Sequence, residues 1–293
     1  MSVGGAVVSR APSLRRVSLL DALRRYPRVT TAASVVALLF LVALLAPIIS
    51  PHDPLAQSPD DSYLPPGPGH LLGTDELGRD LLSRILWGAR VSLPVALVAV
   101  VVGLVGGGAL GLVCGYRGGL TDLLLMRLVD ALLAFPGLIL AIAIVAALGP
   151  SLVNAMVAIG IVAIPVYARL VRGQILQLKQ LEFITAARSM GASPLRIVFQ
   201  HLVPNLLNPV LVQVSLSAGF AILAEATLSF LGLGAQVPTP DWGQMINSGA
   251  RFLNNGFWWL PIFPGVAISI AVFSFNWLGD SLRDALDPRL RTL

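Results

Sequence analysis

Apolar runs of about twenty residues, each closed by a short cluster of arginine, acid, glycine or proline, recur six times along this 293-residue chain. A helix rises about 1.5 Å per residue, so each run can cross the roughly 30 Å hydrocarbon core of a bilayer. The runs extend from Thr30 to Ile49, Val91 to Tyr116, Val129 to Leu148, Ser151 to Ala168, Leu206 to Phe230 and Phe257 to Leu278. The third starts beside Asp130, and the fifth contains Glu225. The pattern predicts an all-α polytopic membrane protein with six transmembrane helices. Composition agrees, with 56% of residues hydrophobic and 12% charged, whereas a soluble domain carries about a quarter charged residues.

Charge placement gives an orientation, because lysine and arginine accumulate in cytoplasmic loops. Sixteen of the twenty cations lie in alternate segments. These are Arg10, Arg15, Arg16, Arg24, Arg25 and Arg28 in the N-terminal tail, and Arg117 and Arg127 after span two. Arg169, Arg172, Lys179, Arg188 and Arg196 follow span four, and Arg283, Arg289 and Arg291 end the chain. Arg79, Arg84, Arg90 and Arg251 fall on the other side. Both termini are therefore expected to be cytoplasmic. The net charge of +5 reports this topology and not nucleic-acid binding. The first span is longer than a signal-peptide core and has no small-x-small cleavage site after it, so it reads as a retained anchor. The expected organisation is a cytoplasmic tail (1–28), a first helix (29–50), an extracytoplasmic segment (51–90), a five-helix core (91–278) and a cytoplasmic C-terminal tail (279–293).

Span two holds Gly103, Gly107, Gly111 and Gly115 at a spacing of four, which returns to nearly the same helix face. Small residues let helices approach closely in lipid. The stripe predicts a tight seam, within the chain or with a partner, although glycine is also common in membrane helices generally. Cys114, the single cysteine, lies within the same run and reads as a packing residue, with no disulfide framework.

Spans four and five are joined by more than thirty residues, far more than a connection needs. Within FITAARSMGASPLRIVFQHLVPN, the residues from Leu178 to Met190 predict a short helix. Gly191 is placed to end it in the left-handed region. Ser193 and Pro194 supply the cap and first turn of a second helix, which leads at Pro204 toward span five. Ala186, Ala187 and Gly191 keep the corner thin enough to enter a cleft on another protein, where Arg188 and Arg196 meet acids. A basic hairpin lying on anionic lipid headgroups fits the same residues.

Residues 50–90 carry six acids and six prolines. The prolines suggest an extended linker followed by an amphipathic helix through Leu77, Leu81, Leu82, Ile85 and Leu86, lying along the membrane face as a brace. His52 and His70 share this segment, and flexible proline linkers argue against a preformed metal site. An ionisable residue inside a span is costly and marks a functional candidate. Glu225 qualifies, either for solute contact or for a structural hydrogen bond or a pair with Arg90 or Arg251. Asp130 is expected to pair with Arg127. Pro136, Pro165, Pro261 and Pro264 are candidate kinks.

The chain has no phosphate-binding loop, since its only lysine lies in QLKQL. Its scattered histidines provide no metal-ligand cluster by spacing, and no nucleophile–base pair is evident. A secondary transporter would call for internal repeats and midplane charges, neither of which is clear.

The hairpin resembles the EAA loop of ABC importer permeases, with Thr185-Ala186-Ala187, Gly191 and Pro204 in register and Thr185 replacing the customary glutamate. HLLGTDELGRDLLSRILWGARVSL (70–93), EATLSFLGLG (225–234) and GDSLRDALDPRLR (279–291) are similar to the dipeptide/oligopeptide/nickel branch of that family. The resemblance implies a type I ABC importer permease fold in a bacterial inner membrane and uptake of di- or oligopeptides, with nickel or another small solute as the alternative. It implies an ATPase-coupling role for Thr185, Ala186, Ala187, Arg188, Gly191, Ala192, Arg196 and Pro204 within a 178–204 hairpin. The implied partners are a homologous second permease, two cytoplasmic ATPases that bind ATP and Mg, an extracytoplasmic solute-binding protein and membrane lipid. Docking or an outer gate would involve the 229–256 loop, with Glu225, Asp241 and Trp242 as candidates. No cofactor or metal is expected on this chain.

Overall fold

The computed structural model describes residues 26–286, and the basic positions before Tyr26 and after Leu286 lie outside them. Among the described residues there is no strand, only isolated bridges at Gly67–His70 and Thr74–Asp80. Among the described residues five helices are long and apolar enough to span a bilayer, or six if one bent pair counts as a span.

Helix α1 covers Pro27–Ile49, and α2 covers Leu81–Arg117. The expected surface-lying amphipathic helix is instead the start of α2. Asp80 caps that start by accepting from the Ser83 amide at 2.8 Å. Nothing between Leu86 and Val91 interrupts the helix, because Gly88 is tolerated where the Trp242 ring packs against it.

Helices α3 (Gly119–Leu133) and α4 (Gly137–Leu148) replace the expected straight third span and meet at a 91° bend. Pro136 lies at the break. It has no N–H to donate, and it pushes Phe135 away from helical geometry.

Helix α5 (Leu152–Leu178) runs ten residues past the expected end at Ala168. Its two arginines find acids on α3 and so do not end the helix: Arg169 meets Asp130 at 2.6 Å and Arg172 meets Asp122 at 2.5 Å.

Helix α6 covers Glu182–Ser189, and α7 runs from Pro194 to Phe230 as one 37-residue helix. The second hairpin helix and span five were expected as separate elements. A wide π-helical turn over Ile197–Leu202 joins them. That turn accommodates Pro204, and the Asn205 side-chain amide donates to the His201 carbonyl at 2.5 Å. Helix α8 is Trp242–Ala250, and α9, Trp259–Leu286, continues into the expected C-terminal tail.

The main core lies where α2, α5, α7 and α9 pack together, with Leu93, Ala96, Ala158, Tyr167, Ile222, Ala271 and Phe275 buried. A second cluster ties the hairpin to the bundle through Ile175, Ile184, Ile197, Val198 and Leu202.

Residues 51–80 fold compactly and do not form the extended linker expected. Tyr63 stacks on Phe257 with ring centroids 4.5 Å apart, and Trp259 Nε1 donates to the Thr74 carbonyl at 3.3 Å. Buried Arg79 pairs with Asp75 at 2.7 Å. Gly73 and Gly78, both at positive φ, let the chain turn where a side chain would strike Leu64 and Ser58.

Candidate functional site

The hairpin between α5 and α7 is built by local signals. Helix α5 stops at Leu178, so the first hairpin helix starts at Glu182, four residues later than expected. At the stop, Lys179 Nζ donates to the carbonyls of Gly115 at 3.1 Å and Tyr116 at 2.8 Å. The only lysine thus caps the last turn of α2, where carbonyls lack helical partners and a cation is favoured. No short-range pattern marks that role.

Gly191 adopts φ +79°, and a Cβ there would meet nothing within 4 Å. Glycine is therefore needed for backbone conformation and not for space. The Gly191 amide donates to Arg188 O at 3.0 Å and the Ala192 amide to Ala187 O at 3.1 Å, closing the end of α6. Ser193 Oγ accepts from the Arg196 amide at 3.4 Å, and Pro194 begins the next helix.

Ile184 and Ala187 face inward. Thr185, Ala186, Arg188, Gly191 and Arg196 are exposed, whereas Ala192 and Pro204 are half-buried. Beside them Met190, Leu195 and Phe199 project their side chains at 82%, 71% and 63% exposure. Among the described residues neither Arg188 nor Arg196 has an ion-pair partner. The result is a rigid apolar corner flanked by free cations.

The four stripe glycines all face α5. A Cβ on Gly103 would lie 2.7 Å from Ala163 Cβ, one on Gly107 2.7 Å from Tyr167 Cβ, and one on Gly111 or Gly115 2.9 Å from Val171 or Ile175 Cβ. Gly160 returns the fit from α5 toward Val102. The contact lies within the chain, and it places Cys114 in a fully buried position.

Glu225, Asp241 and Trp242 come together at the far end of the bundle, and all three are buried. Glu225 accepts from Ser229 Oγ at 2.9 Å and lies against Asp241 and Ser92. Asp241 caps α8, and Trp242 Nε1 donates to the Ile85 carbonyl at 2.9 Å. Of the alternatives for Glu225, the structural hydrogen bond is present and the pairings with Arg90 and Arg251 are not. Arg90 lies 5.0 Å over the Trp87 ring, and Arg251 binds Asn247 at 3.0 Å. Asp130 pairs with Arg169 across helices and not with Arg127, because the cross-helix arginine reaches it more directly. The Asp122–Arg172 pair, bidentate at 2.5 and 2.7 Å, was not foreseen, since fifty residues separate the partners.

His52 and His70, expected to stay apart on a flexible linker, are 4.8 Å apart between ring centroids. Asp80 joins them. Burial pushes its carboxyl up, but hydrogen bonds from His70 and Ser83, with His52 nearby, outweigh that and hold it below the usual carboxylate range.

The family model described as "Binding-protein-dependent transport system inner membrane component" matches residues 107–292, and one described as "N-terminal TM domain of oligopeptide transport permease C" matches residues 19–66. The dipeptide transport system permease protein DppC of Alkalihalophilus pseudofirmus is 46% identical over 252 residues, covering 86% of this chain and 83% of the relative. The glutathione transport system permease protein GsiD of Pectobacterium atrosepticum is 44% identical and covers 98% of both chains. A solved structure of the MetNI methionine ABC transporter in inward-facing conformations superposes with a TM-score of 0.59 at 21% identity, covering 71% of this chain and 98% of that one. That last likeness concerns the fold. The helices, the hairpin between α5 and α7 and the match over most of the sequence place this chain in the family of binding-protein-dependent transport system inner membrane components.

Proposed function

We propose that this chain is one of two permease subunits of an ATP-driven importer for di- or oligopeptides, and that the hairpin is its mechanical input. The observation that carries this is the exposed apolar corner of Met190, Leu195 and Phe199 around left-handed Gly191, held rigidly by the buried cluster behind it. Solvated apolar side chains on a fixed corner gain by entering a partner's cleft. A cytoplasmic ATPase, which would carry ATP and Mg, is the fitting partner, and the arginine bias puts the hairpin on that side. The peptide assignment rests on relatives whose names specify dipeptide and glutathione transport. A homologous second permease completes the pathway, and an extracytoplasmic binding protein delivers solute near the Glu225, Asp241 and Trp242 end.

In this reading, closure of the two ATPases on ATP moves α6. The bundle then opens outward to receive the peptide, and hydrolysis returns it to the inward state. An apolar cavity of about 290 Å³ between α2, α3, α4, α5 and α7, with Gln213 and Ser217 in its wall, is the candidate stretch of pathway.

The test is ATP-dependent peptide uptake in proteoliposomes holding the complete complex, comparing wild type with Gly191→Arg and scoring ATPase retention by pull-down. Loss of ATPase attachment or uptake by a variant that still inserts supports the reading. Uptake without any ATPase, unaffected by the variant, overturns it in favour of a secondary transporter.

A further inference from the structure

Folding of residues 51–80 creates one group of ligand-bearing side chains for which the transport cycle has no use. His52 follows α1. His70 sits in a turn where its carbonyl accepts from the Gly67 amide at 3.0 Å and the Gly73 amide at 2.9 Å. Asp80 caps α2. His70 Nδ1 is 2.9 Å and His52 Nδ1 3.6 Å from a single oxygen, Asp80 Oδ1, and the three ligand atoms all lie within 4.8 Å of one another. We propose that His52, His70 and Asp80 form a binding site for one divalent transition-metal ion of the zinc type, clamping the end of α1 to the start of α2.

The spacing suits such an ion. Two ligands about 2.0 Å from a tetrahedral zinc lie about 3.3 Å apart; the two distances to Asp80 Oδ1, 2.9 and 3.6 Å, bracket that separation, and the imidazole nitrogens lie within 4.8 Å of each other. A plain hydrogen bond explains one imidazole on Asp80 Oδ1. It does not explain why a second approaches the same oxygen with its ring tilted 33° to the first.

The ligands are also held from behind. Asp80 Oδ2 accepts from the Ser83 amide at 2.8 Å and the Ser83 hydroxyl at 2.7 Å, which leaves Oδ1 turned toward the histidines. Ser83 Oγ in turn accepts from the His52 amide at 3.1 Å. One serine thus orients both a carboxylate ligand and the backbone of a histidine ligand, the kind of outer support that metal sites require.

Two imidazoles and a carboxylate favour Zn²⁺, Co²⁺ or Ni²⁺ over Mg²⁺ and Ca²⁺, which prefer oxygen alone. Asp80 is buried, while the His52 side chain is 43% exposed and lines an open pocket of about 830 Å³ with Trp87, Arg90 and Pro240. An ion therefore has a route in, and a water has room as the fourth ligand. Binding would displace the proton between His70 and Asp80 and draw three separate parts of the segment onto one centre. The site does not depend on which solute the importer carries.

The experiment uses tag-free full-length protein in lipid nanodiscs, stripped with chelator. It is titrated with Zn²⁺ by calorimetry and with Co²⁺ by visible absorption. One ion per chain is expected, uncontested by millimolar Mg²⁺. His52→Ala, at an accessible position, should weaken Zn²⁺ binding at least about tenfold and remove the tetrahedral Co²⁺ bands. His52→Gln, which keeps size and polarity, should do the same. Zn²⁺ should raise the unfolding midpoint of wild type and leave that of both variants unchanged. Absence of saturable binding, or equal affinity in wild type and His52→Gln, overturns the site.

Discussion

Gly107→Ala, set against Gly108→Ala, measures how closely α2 and α5 are joined. A Cβ on Gly107 would lie 2.7 Å from Tyr167 Cβ and 3.0 Å from the Ala168 amide nitrogen, and closer still to the Ile164 carbonyl oxygen. Carbon atoms rest at about 3.5–4.0 Å, so the helices must separate by roughly an ångström. Two of the three obstacles are backbone atoms that cannot rotate away. On Gly108 the same methyl meets only Leu104 Cδ1, at 3.9 Å. Both substitutions gain the same helix propensity, about 1 kcal/mol, so that term cancels between them. Overpacking costs about 1–3 kcal/mol, and the two variants should differ by about 2 kcal/mol, around thirtyfold in the folding equilibrium.

The assay is thermal unfolding of the purified chain in detergent, followed by a thiol-reactive dye. Cys114 is the single cysteine and is fully buried in α2, so the dye reacts only as the helix pair opens. Gly107→Ala should lower the midpoint, and Gly108→Ala should match wild type or exceed it. Equal shifts for both would refute a seam set by backbone approach.

Two further substitutions probe the buried polar groups. Glu225 Oε2 and Asp241 Oδ2 are buried without hydrogen-bond partners, so Glu225→Gln, which brings an amide donor, should preserve stability in the same thermal assay. Glu225→Ala should cost about 1–3 kcal/mol by leaving the buried Ser229 hydroxyl without its acceptor, and a Gln variant as unstable as Ala would contradict this arrangement. For Asp122 and Arg172, half-exposed and bidentate, a double-mutant cycle with Asp122→Asn and Arg172→Gln should return a coupling of about 1 kcal/mol; a coupling of zero would show that the pair holds nothing.

The local features were legible in sequence, and the distant ones were not. Apolar run length marked the membrane-crossing segments because hydration of a helix depends on its own residues. Gly191 with Ser193-Pro194 marked the hairpin corner because positive φ, capping and a first-turn proline act over a few positions. The glycine period marked a seam but could not say which helix filled it, since the partner face on α5 lies about sixty residues away. The fold of residues 51–80 was hidden for the same reason. Prolines there suggested extension, but Trp259 and Phe257, far along the chain, supply the surface on which it packs. Charges misled most. Asp130 had an arginine one turn away and found another across the helix gap, because tertiary distance overrides sequence distance once helices pack.

Those long-range contacts determine what a force on the hairpin would move. Helix α6 follows α5 after three residues, and Ile184 is buried against Ile197 and Val198, so α6 cannot shift without pulling both α5 and the start of α7. Four glycines hold α5 to α2, Lys179 fastens α5 to the last turn of α2, and Arg172 binds α3 through Asp122. An interface this close does not deform gradually, because sliding by a fraction of a turn would drive side chains into backbone. Helices α2 and α5 therefore move as one lever, whose far end is the folded 51–80 segment at Asp80. Compliance must lie where such contacts are missing, and the 91° break between α3 and α4 at Pro136 is such a place. A displacement applied at Gly191 would reach the opposite end of the bundle through this pair, with the α3–α4 corner bending to let it pass.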